Sequence, residues 1–414
     1  MTMMDYNIFE KMLKKTKIFK NRDVLRHSYT PEYLPHRKEQ IESIASVLLP
    51  ALRGETPSNL FIYGKPGTGK TATVKFVGKQ LEEASRKMNV HCYIHYLNCE
   101  IIDTQYRVLA TLAKAFGKNV PMTGWPTDQV YEEFVKAIDR RNQTIIIVLD
   151  EIDKLVKKGD EVLYNLSRIN SELNNARVSL IGISNDLKFK NFLDPRVLSS
   201  LSEEEIIFPP YNASQLEDIL SQRAELAFYE GVLDDDVIPF CAALAAQEHG
   251  DARKALDLLR ISGEIAELRN EDRVTKEHVK EAVRKMERDH IIEAVKTLPN
   301  QSKLLLYSMI LLHKCGKRKF TTGEVYSVYK SLCKKIGMDV LTQRRISDLI
   351  SELDMLGIIN SIIISKGRYG RTREIKLEIP VDAVREVILD DYRFEVLRDY
   401  EQSLTKNLSL DIFE

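Results

Sequence analysis

The sequence predicts a doubly wound α/β domain with a parallel sheet, followed by an all-helical domain and then by three helices with a β-hairpin. Three observations carry this prediction. Apolar runs alternate with helical patterns from about Asn59 to about Pro210, only helical patterns follow up to about Thr297, and three short helical patterns precede two strand patterns beyond Asn300. Alternating strands and helices are typical of a parallel α/β sheet, whereas consecutive helices form a separate packing unit.

The strands of the α/β domain, residues 21–212, are predicted from short apolar runs. They are NLFIY, VHCYIHYLN, TIIIVLD and VSLIGISN. Such nearly continuous apolar runs are expected where helices cover both faces of a parallel sheet. A lysine-rich amphipathic arm, residues 1–20, precedes this domain.

The stretch GKPGTGKT, from Gly64 to Thr71, follows the first strand and precedes a helical pattern. This is the spacing and the context of a phosphate-binding loop. Its glycines let the backbone curl its N–H groups around a phosphate, Lys70 reaches the terminal phosphates, and Thr71 supplies a ligand for Mg²⁺. The residues expected to contact ATP or ADP are Gly64, Lys65, Pro66, Gly67, Thr68, Gly69, Lys70, Thr71 and Ala72.

The strand TIIIVLD ends in the carboxylates Asp150 and Glu151. We expect Asp150 to hold Mg²⁺ and Glu151 to orient and deprotonate the water that attacks the γ-phosphate. Asp153 is expected to cap the following helix. At the end of the strand VSLIGISN, Asn185 can position the attacking water beside Glu151.

Two arginines are candidates for stabilising negative charge on the γ-phosphate. They are Arg196 in DPRVLSSL and Arg253 in GDARKAL. An arginine of this kind can be supplied by a neighbouring subunit, so one of the two can act in trans.

The region after the α/β domain divides into two parts. Residues 213–298 contain only amphipathic helices and are predicted to form a helical lid. Pro299 and Asn300 mark a boundary, and residues 299–414 begin with three helical patterns that each end at a glycine suited to a C-cap. Three short helices followed by a β-hairpin are the winged-helix variant of helix-turn-helix, and the third helix is the recognition candidate.

Positive charge is concentrated in this last part. From Gln301 to Lys376 there are fifteen Lys or Arg against six Asp or Glu. We expect the hairpin to enter the minor groove of duplex DNA while the third helix meets the major groove or its phosphates. The residues expected to contact DNA are Arg344, Arg345 and Ser347 on the helix and Lys366, Gly367, Arg368, Tyr369, Gly370, Arg371 and Arg373 on the hairpin.

The bulk composition is that of a soluble globular protein. The 414 residues include 61 Lys or Arg and 61 Asp or Glu, so whole-chain charge gives no indication of a nucleic-acid partner. Five cysteines without a paired C-x-x-C pattern are too few for a disulfide framework, and no apolar segment approaches the length of a membrane span. We therefore expect a protein of the reducing cytoplasm, with no membrane partner.

With the phosphate loop, the acidic strand end, the asparagine, the two arginines, the lid and the winged helix in this order, the chain resembles the AAA+ ATPases. More narrowly, it resembles archaeal initiators related to the origin recognition complex and to the cell-division-control helicase loader. The segment from Val24 to Ile41, VLRHSYTPEYLPHRKEQI, resembles that family's segment beside the nucleotide base. The similarity covers nearly all of the chain.

The resemblance implies roles for individual residues. Asp150 and Glu151 would be the Walker B pair, Asn185 sensor one, Arg253 sensor two and Arg196 the arginine finger. Tyr211 and Arg223, at the entrance of the lid, match further nucleotide contacts of the family. Initiators also carry an extra helix, here Glu100 to Val120, whose Arg107 and Lys114 would face DNA.

The function implied is that of an ATPase that hydrolyses ATP slowly, as a switch, binds double-stranded origin DNA and helps load the replicative helicase. ATP or ADP with Mg²⁺ would be its cofactors, and a second initiator subunit on DNA would be a further partner. Two other readings stay open. One is a nucleotide-sensing winged-helix transcription regulator or signalling ATPase, and the other is a clamp-loader or helicase-loader subunit that uses its winged helix for protein contact.

Overall fold

The computed structural model describes residues 18–186, 188–201, 204–365 and 371–398. The chain divides into two compact units, Met1–Glu281 and Ala282–Glu414. Among the described helices, none combines the length and the apolarity that a membrane crossing requires.

The first unit contains a five-stranded parallel sheet in the order β2-β3-β4-β1-β5. Its strands are β1 (Leu60–Gly64), β2 (Cys92–Asn98), β3 (Gln143–Asp150), β4 (Ala176–Ser184) and β5 (Glu204–Phe208). Because β3, β4 and β1 are parallel neighbours in that order, their carboxyl ends lie together at one edge of the sheet. In open α/β sheets, ligands bind in the crevice outside such an edge.

Helices cover both faces of this sheet, as the buried strands require. They are α1 (Lys38–Leu48), α2 (Lys70–Lys87), α3 (Gln105–Ala115), α4 (Thr127–Ile138), α5 (Ile152–Val156), α6 (Glu161–Arg168) and α7 (Pro195–Leu201). One core joins one face of the sheet to α3, α4 and α6, and a second joins the other face to α1 and α2. The predicted parallel α/β fold is confirmed.

The all-helical part of the first unit follows β5. It contains α8 (Ala213–Ala227), α9 (Val237–Gln247) and α10 (Ala252–Arg269). Asn212 and Gln215 form a reciprocal capping box at the start of α8, and Asp251 caps α10 by accepting from the N–H groups of Arg253 and Lys254. Helix α11 (Lys276–Thr297) follows, and the division between the two units falls within it.

The described start of the predicted N-terminal arm packs on this helical part. The ring centroid of Phe19 lies 4.7 Å from that of Phe228, and Lys20 N–H donates to the carbonyl of Ala227. Ile18 is fully buried. Residues 18–20 therefore contribute to the core of the first unit.

The second unit has the winged-helix architecture. Its helices are α12 (Asn300–Lys314), α13 (Thr322–Ile336), α14 (Gln343–Met355) and α15 (Val381–Leu389), and its strands are β6 (Phe320–Thr321), β7 (Ile359–Ser365) and β8 (Arg371–Leu377). The strands form a sheet in the order β6-β8-β7. The three predicted C-cap glycines, Gly316, Gly337 and Gly357, all have positive φ values.

Three details differ from the sequence prediction. The short strand β6 and helix α15 were not predicted, because two residues and a nine-residue segment carry little periodic signal. The extra helix is restricted to α3 rather than extending over Glu100–Val120. The prediction that Asp153 caps a helix was wrong, since Glu151 is the N-cap and Asp153 lies buried inside α5, where it accepts from the hydroxyl of Ser184.

Candidate functional site

The phosphate loop, residues 64–71, connects β1 to α2 at the carboxyl edge of the sheet. Gly67 and Gly69 have φ values of 72° and 87°, in the left-handed region that favours glycine. Helix α2 begins directly after Gly69. Its free N–H groups and its dipole therefore point into the space beside the loop, where they favour an anion.

Lys70, the first residue of α2, is 6 % exposed. Its Nζ donates to the carbonyl oxygens of Gly64 and Lys65 at 2.7 and 2.8 Å and to Oδ1 of Asn185 at 2.8 Å. Burial, and next the positive charge of Arg253, lower the pKa of Lys70 to about 8. The ammonium is thus held at the loop without a carboxylate as its direct partner, and an incoming anion would stabilise its charge.

The hydroxyl of Thr71 donates to Oδ2 of Asp150 at 2.7 Å, which brings the loop and the end of β3 together. Glu151 follows with φ 55° and ψ 44°, a left-handed conformation that is strained for a residue with a side chain. Burial, followed by the charges of Glu100 and Asp150, raises the pKa of Glu151. A hydroxyl and a carboxylate at this distance suit a hard cation, and a carboxylate with a raised pKa suits a general base.

These groups line a cavity of about 530 Å³ in the first unit. Of the predicted nucleotide contacts, Gly67, Thr68, Gly69, Lys70, Thr71, Ala72, Tyr211 and Arg223 line it, and so do Asp150, Glu151, Asn185 and Arg253. Gly64 and Lys65 instead turn their carbonyl oxygens to Lys70, and Pro66 is not among the lining residues. Residues of the segment from Arg26 to Pro35 also line the cavity.

Tyr211 and Arg223 are both nearly buried at the cavity wall. Arg223 lies over the ring of Tyr29 at 4.5 Å and donates to the carbonyl of Val24 at 3.1 Å. It therefore ties α8 to the segment that was predicted to lie beside the nucleotide base.

The lid contacts the phosphate loop through the start of α10. The N–H of Ala252 donates to the carbonyl of Gly67 at 3.2 Å, and a Cβ atom on Gly67 would overlap the carboxylate of Asp251. The exposed Arg253 follows directly and lines the cavity. Sequence reasoning did not single out Asp251, although an aspartate before an amphipathic helical run is a recognised N-cap signal.

Arg37 is the most buried charged residue near the loop, at 2 % exposure, and it was not singled out from the sequence. Its guanidinium donates to the carbonyl oxygens of Thr68 and Pro209 at 2.9 and 2.8 Å and lies 3.7 Å from the centroid of the Tyr211 ring. All these partners except Thr68 are more than a hundred residues away along the chain, so no local pattern could indicate them.

Arg196 is not brought to the cavity within one chain. It is 74 % exposed and forms an ion pair with Asp194, with its NH2 3.0 Å from Oδ2. Its predicted action in trans stays a prediction.

The predicted DNA-facing cations of α3 differ from one another. Arg107 pairs with Asp103 at 3.6 Å, whereas Lys114 is exposed near the end of the helix. The apolar stripe of α3 is buried in the sheet core. Helix α3 therefore has one ion-paired cation, Arg107, and one exposed cation, Lys114, beside its buried apolar face.

Helix α14, the recognition candidate, begins at the N-cap Thr342. Arg344 is exposed, and Arg345 lies 3.6 Å from Glu352 and 3.9 Å from Asp348. The hydroxyl of Ser347 donates to the carbonyl of Gln343, one turn earlier in the same helix. Both arginines are thus at the solvent-facing start of the helix, and Arg345 has acidic neighbours that Arg344 lacks among the described residues.

Arg373 was predicted as one of the hairpin residues that contact DNA. It lies within β8, opposite Ile363, and donates to the hydroxyl of Ser351 on α14 at 2.7 Å. Its guanidinium therefore fixes the recognition helix to the hairpin. The other residues predicted on the hairpin lie outside the described part of the chain. They are Lys366, Gly367, Arg368, Tyr369, Gly370 and the side chain of Arg371.

Comparisons with known proteins agree with the division of the chain into an α/β domain, a helical lid and a winged helix. The chain matches the AAA domain model over residues 53–188, the Cdc6 AAA+ ATPase-type lid domain over 217–284 and the CDC6 C-terminal winged helix domain over 293–387.

Full-length relatives and a solved structure match as well. The ORC1-type DNA replication protein 1 of Archaeoglobus fulgidus is 66 % identical over 408 residues, covering 99 % of this chain and 100 % of the relative. The ORC1-type DNA replication protein of Pyrococcus horikoshii is 62 % identical over 395 residues, 94 % of each chain. The structure of the Aeropyrum pernix ORC1 protein in complex with DNA is 50 % identical, with a TM-score of 0.78, and covers 92 % of this chain and 100 % of that one. The chain therefore belongs to the archaeal ORC1-type family of DNA replication proteins, which are AAA+ ATPases with a Cdc6-type lid and winged helix.

Proposed function

We propose that this protein is an ATP-dependent replication initiator that binds double-stranded origin DNA through its second unit and ATP or ADP through its first. The observation that carries the proposal is the convergence of Lys70, Thr71, Asp150 and Asn185 on one cavity, in a chain that also has an exposed recognition helix.

In the nucleotide site, the backbone of the phosphate loop and the start of α2 bind the phosphates, and Lys70 exchanges its carbonyl and amide partners for phosphate oxygens. Thr71 and Asp150 fit Mg²⁺, since their side-chain oxygens already lie 2.7 Å apart and hard oxygen donors are what this cation prefers. When bound there, Mg²⁺ would neutralise part of the negative charge of the phosphates. Arg253 and Arg223 contribute further positive charge at the lid.

For hydrolysis, Glu151 is the base that orients and deprotonates the attacking water, and Asn185 positions that water. The raised pKa of Glu151 brings its proton affinity closer to that required of a base near neutral pH. Arg196 would act from a second initiator subunit on DNA.

In the second unit, Arg344, Arg345 and Ser347 meet the major groove or its phosphates, while the cations of the hairpin enter the minor groove. A relative that is 50 % identical over most of the chain was solved in complex with DNA, which supports DNA as the ligand. Lys114 and Arg107 on α3 would add a contact from the first unit.

The nucleotide acts as a switch in this proposal: ATP favours origin binding and helicase loading, and hydrolysis resets the protein. Origin-duplex affinity measured with ATP and with ADP tests the switch. A difference of several-fold is expected, whereas equal affinities in the two nucleotides would overturn it.

Genome-wide footprinting tests the initiator assignment itself. Protection at replication start sites is expected, together with ATP-dependent retention of the replicative helicase on a linear origin duplex by purified protein. Protection restricted to promoters would favour the transcription regulator, and negligible duplex affinity at moderate salt would favour a loader subunit that uses its winged helix for protein contact.

A further inference from the structure

Arg37 holds a buried positive charge for which the described residues offer no carboxylate partner. Its guanidinium is satisfied by neutral groups only: the carbonyl oxygens of Thr68, His36 and Pro209 and the face of the Tyr211 ring. Burial lowers the pKa of Arg37, because removal from water disfavours the charged form. An arginine nevertheless stays protonated in proteins.

A buried charge without a counter-ion is normally costly. This cost would be reduced if an anion lay close to Arg37 when the protein functions. The phosphate loop is the nearest place where such an anion would lie, because Nε of Arg37 bonds directly to the carbonyl of Thr68 in the middle of that loop.

The same guanidinium also fixes the geometry of the loop. Thr68 is fully buried, and the hydroxyl of Tyr211 lies so close to Gly69 that a Cβ atom there would be only 2.8 Å from it. Through Pro209 and Tyr211, Arg37 connects the loop to the chain between β5 and α8, where the lid begins. Arg37 itself is not among the residues that line the cavity.

We propose that Arg37 is a positioning residue for polyphosphate binding: without touching the nucleotide, it holds the phosphate loop against Tyr211 and places a positive charge behind the loop. This inference rests on the proposed nucleotide site and adds a residue to it. It requires the effect of Arg37 to depend on the number of phosphates in the ligand. A residue that merely supported the fold would affect every nucleotide and nucleoside alike.

The experiment measures the dissociation constants of Mg²⁺-ADP and of adenosine by calorimetry for full-length wild type, Arg37→Gln and Arg37→Lys. Glutamine can still donate to one carbonyl oxygen but carries no charge, whereas lysine keeps the charge and loses the planar fork. We expect Arg37→Gln to weaken ADP binding about 10-fold relative to adenosine. Arg37→Lys should weaken it by a smaller factor.

Two control variants separate the possible failures. Arg177→Met removes another arginine of the same unit, whose Nε donates to the backbone carbonyl of Gly54. Arg177 lies at the amino end of β4, whereas the phosphate loop lies at the carboxyl edge of the sheet, so the ADP-to-adenosine ratio should stay unchanged. Lys70→Ala should abolish ADP binding if the nucleotide site is assigned correctly, so unchanged binding there would overturn the proposed function.

Suppose that Lys70→Ala no longer binds ADP. The role of Arg37 is then overturned if both Arg37 variants bind ADP like wild type, or if they lose affinity for ADP and for adenosine by the same factor. Should Arg37→Gln fail to fold, Arg37→Lys decides in the same way, since an unchanged ADP-to-adenosine ratio in it would contradict the positioning role.

Discussion

At the scale of single residues, two ionisable groups in the cavity have pKa values displaced in opposite senses. Burial and Arg253 lower the pKa of Lys70 to about 8, whereas burial and Glu100 raise that of Glu151. The environments of the two groups therefore bring both proton equilibria closer to neutral pH. Such displacement is common at functional sites and supports the proposed roles of the lysine in anion binding and of the glutamate in proton transfer.

Nucleotide affinity should fall as the pH rises above about 8, because free Lys70 then loses its proton. Bound phosphates favour the charged ammonium and raise its pKa, so binding between about pH 8 and 10 must take up a proton. Calorimetry of ADP binding at pH 8.5 in buffers of different ionisation enthalpy measures this uptake. Release of a proton, or affinity that is constant from pH 7 to 9.5, would contradict the assignment.

The same pKa shift affects the nucleotide-free protein. The unfolded chain binds more protons than the folded one between about pH 8 and the ordinary lysine value of 10.5. Lys70 therefore makes the folded state more stable, and raises the free energy of unfolding, as the pH rises through that window.

Glu151→Gln should bind ATP as wild type does and hydrolyse it at least 100-fold more slowly, since glutamine has the same shape but cannot accept the proton. Single-turnover hydrolysis and ATP titration measure the two properties. The exposed Glu55 provides the matched variant, Glu55→Gln, which should behave as wild type. Normal turnover by Glu151→Gln would remove Glu151 from the role of base.

At the scale of elements, the start of α10 rests on the phosphate loop. Asp251 caps this helix with the same carboxylate that fills the space over Gly67. The position of the lid helix and the conformation of the loop are thus fixed by one contact. We therefore expect a shift of the lid helix to change the conformation of the loop, and the reverse.

Gly67→Ala tests this contact, with Gly117→Ala as its control. Both glycines have positive φ values, but a Cβ at Gly117 meets nothing within 4 Å, whereas one at Gly67 overlaps Asp251. Left-handed strain alone should lower the free energy of unfolding by about 1 kcal/mol in each. Urea unfolding should show a larger loss for Gly67→Ala, together with weaker ADP binding. Equal losses with unchanged ADP affinity would contradict a lid contact at this glycine.

On α14, Arg344→Ala should weaken duplex binding and reduce the slope of log affinity against log salt by about 0.9, the value for one phosphate contact. Arg344 is exposed at the start of the helix, so its removal should not destabilise the unit. Arg393→Ala, which removes an exposed arginine outside this helix, serves as control. An unchanged slope for Arg344→Ala would exclude Arg344 from phosphate contact.

The elements that could be predicted from the sequence are those that short sequence patterns determine. The glycines of the loop, the buried apolar strands and the C-cap glycines each have a mechanism contained within a few residues. Arg37 and Arg373 could not be assigned in the same way. Their partners, Pro209 and Tyr211 for one and Ser351 for the other, are distant in sequence and are brought near only by the tertiary fold.

At the scale of the whole molecule, balanced charge conceals two positively charged functional regions. Lys plus Arg equals Asp plus Glu over the chain, yet Lys70, Arg223 and Arg253 line one cavity, the buried Arg37 contacts the phosphate loop beside it, and the winged helix carries an excess of cations. The order of the domains could be predicted because each has its own periodicity. The strand order could not, because β1 pairs with β4 and β5 through long crossovers.

In the proposed function, the winged helix binds the phosphates of duplex DNA while the first unit binds a nucleotide. The most direct test is origin-duplex affinity over a range of salt concentrations for wild type and for the triple variant Lys366→Ala, Arg368→Ala, Arg371→Ala. We expect weaker binding and a salt slope reduced by roughly 2 to 3, with ADP affinity unchanged. Undiminished duplex affinity and an identical slope in the variant would contradict the proposed function.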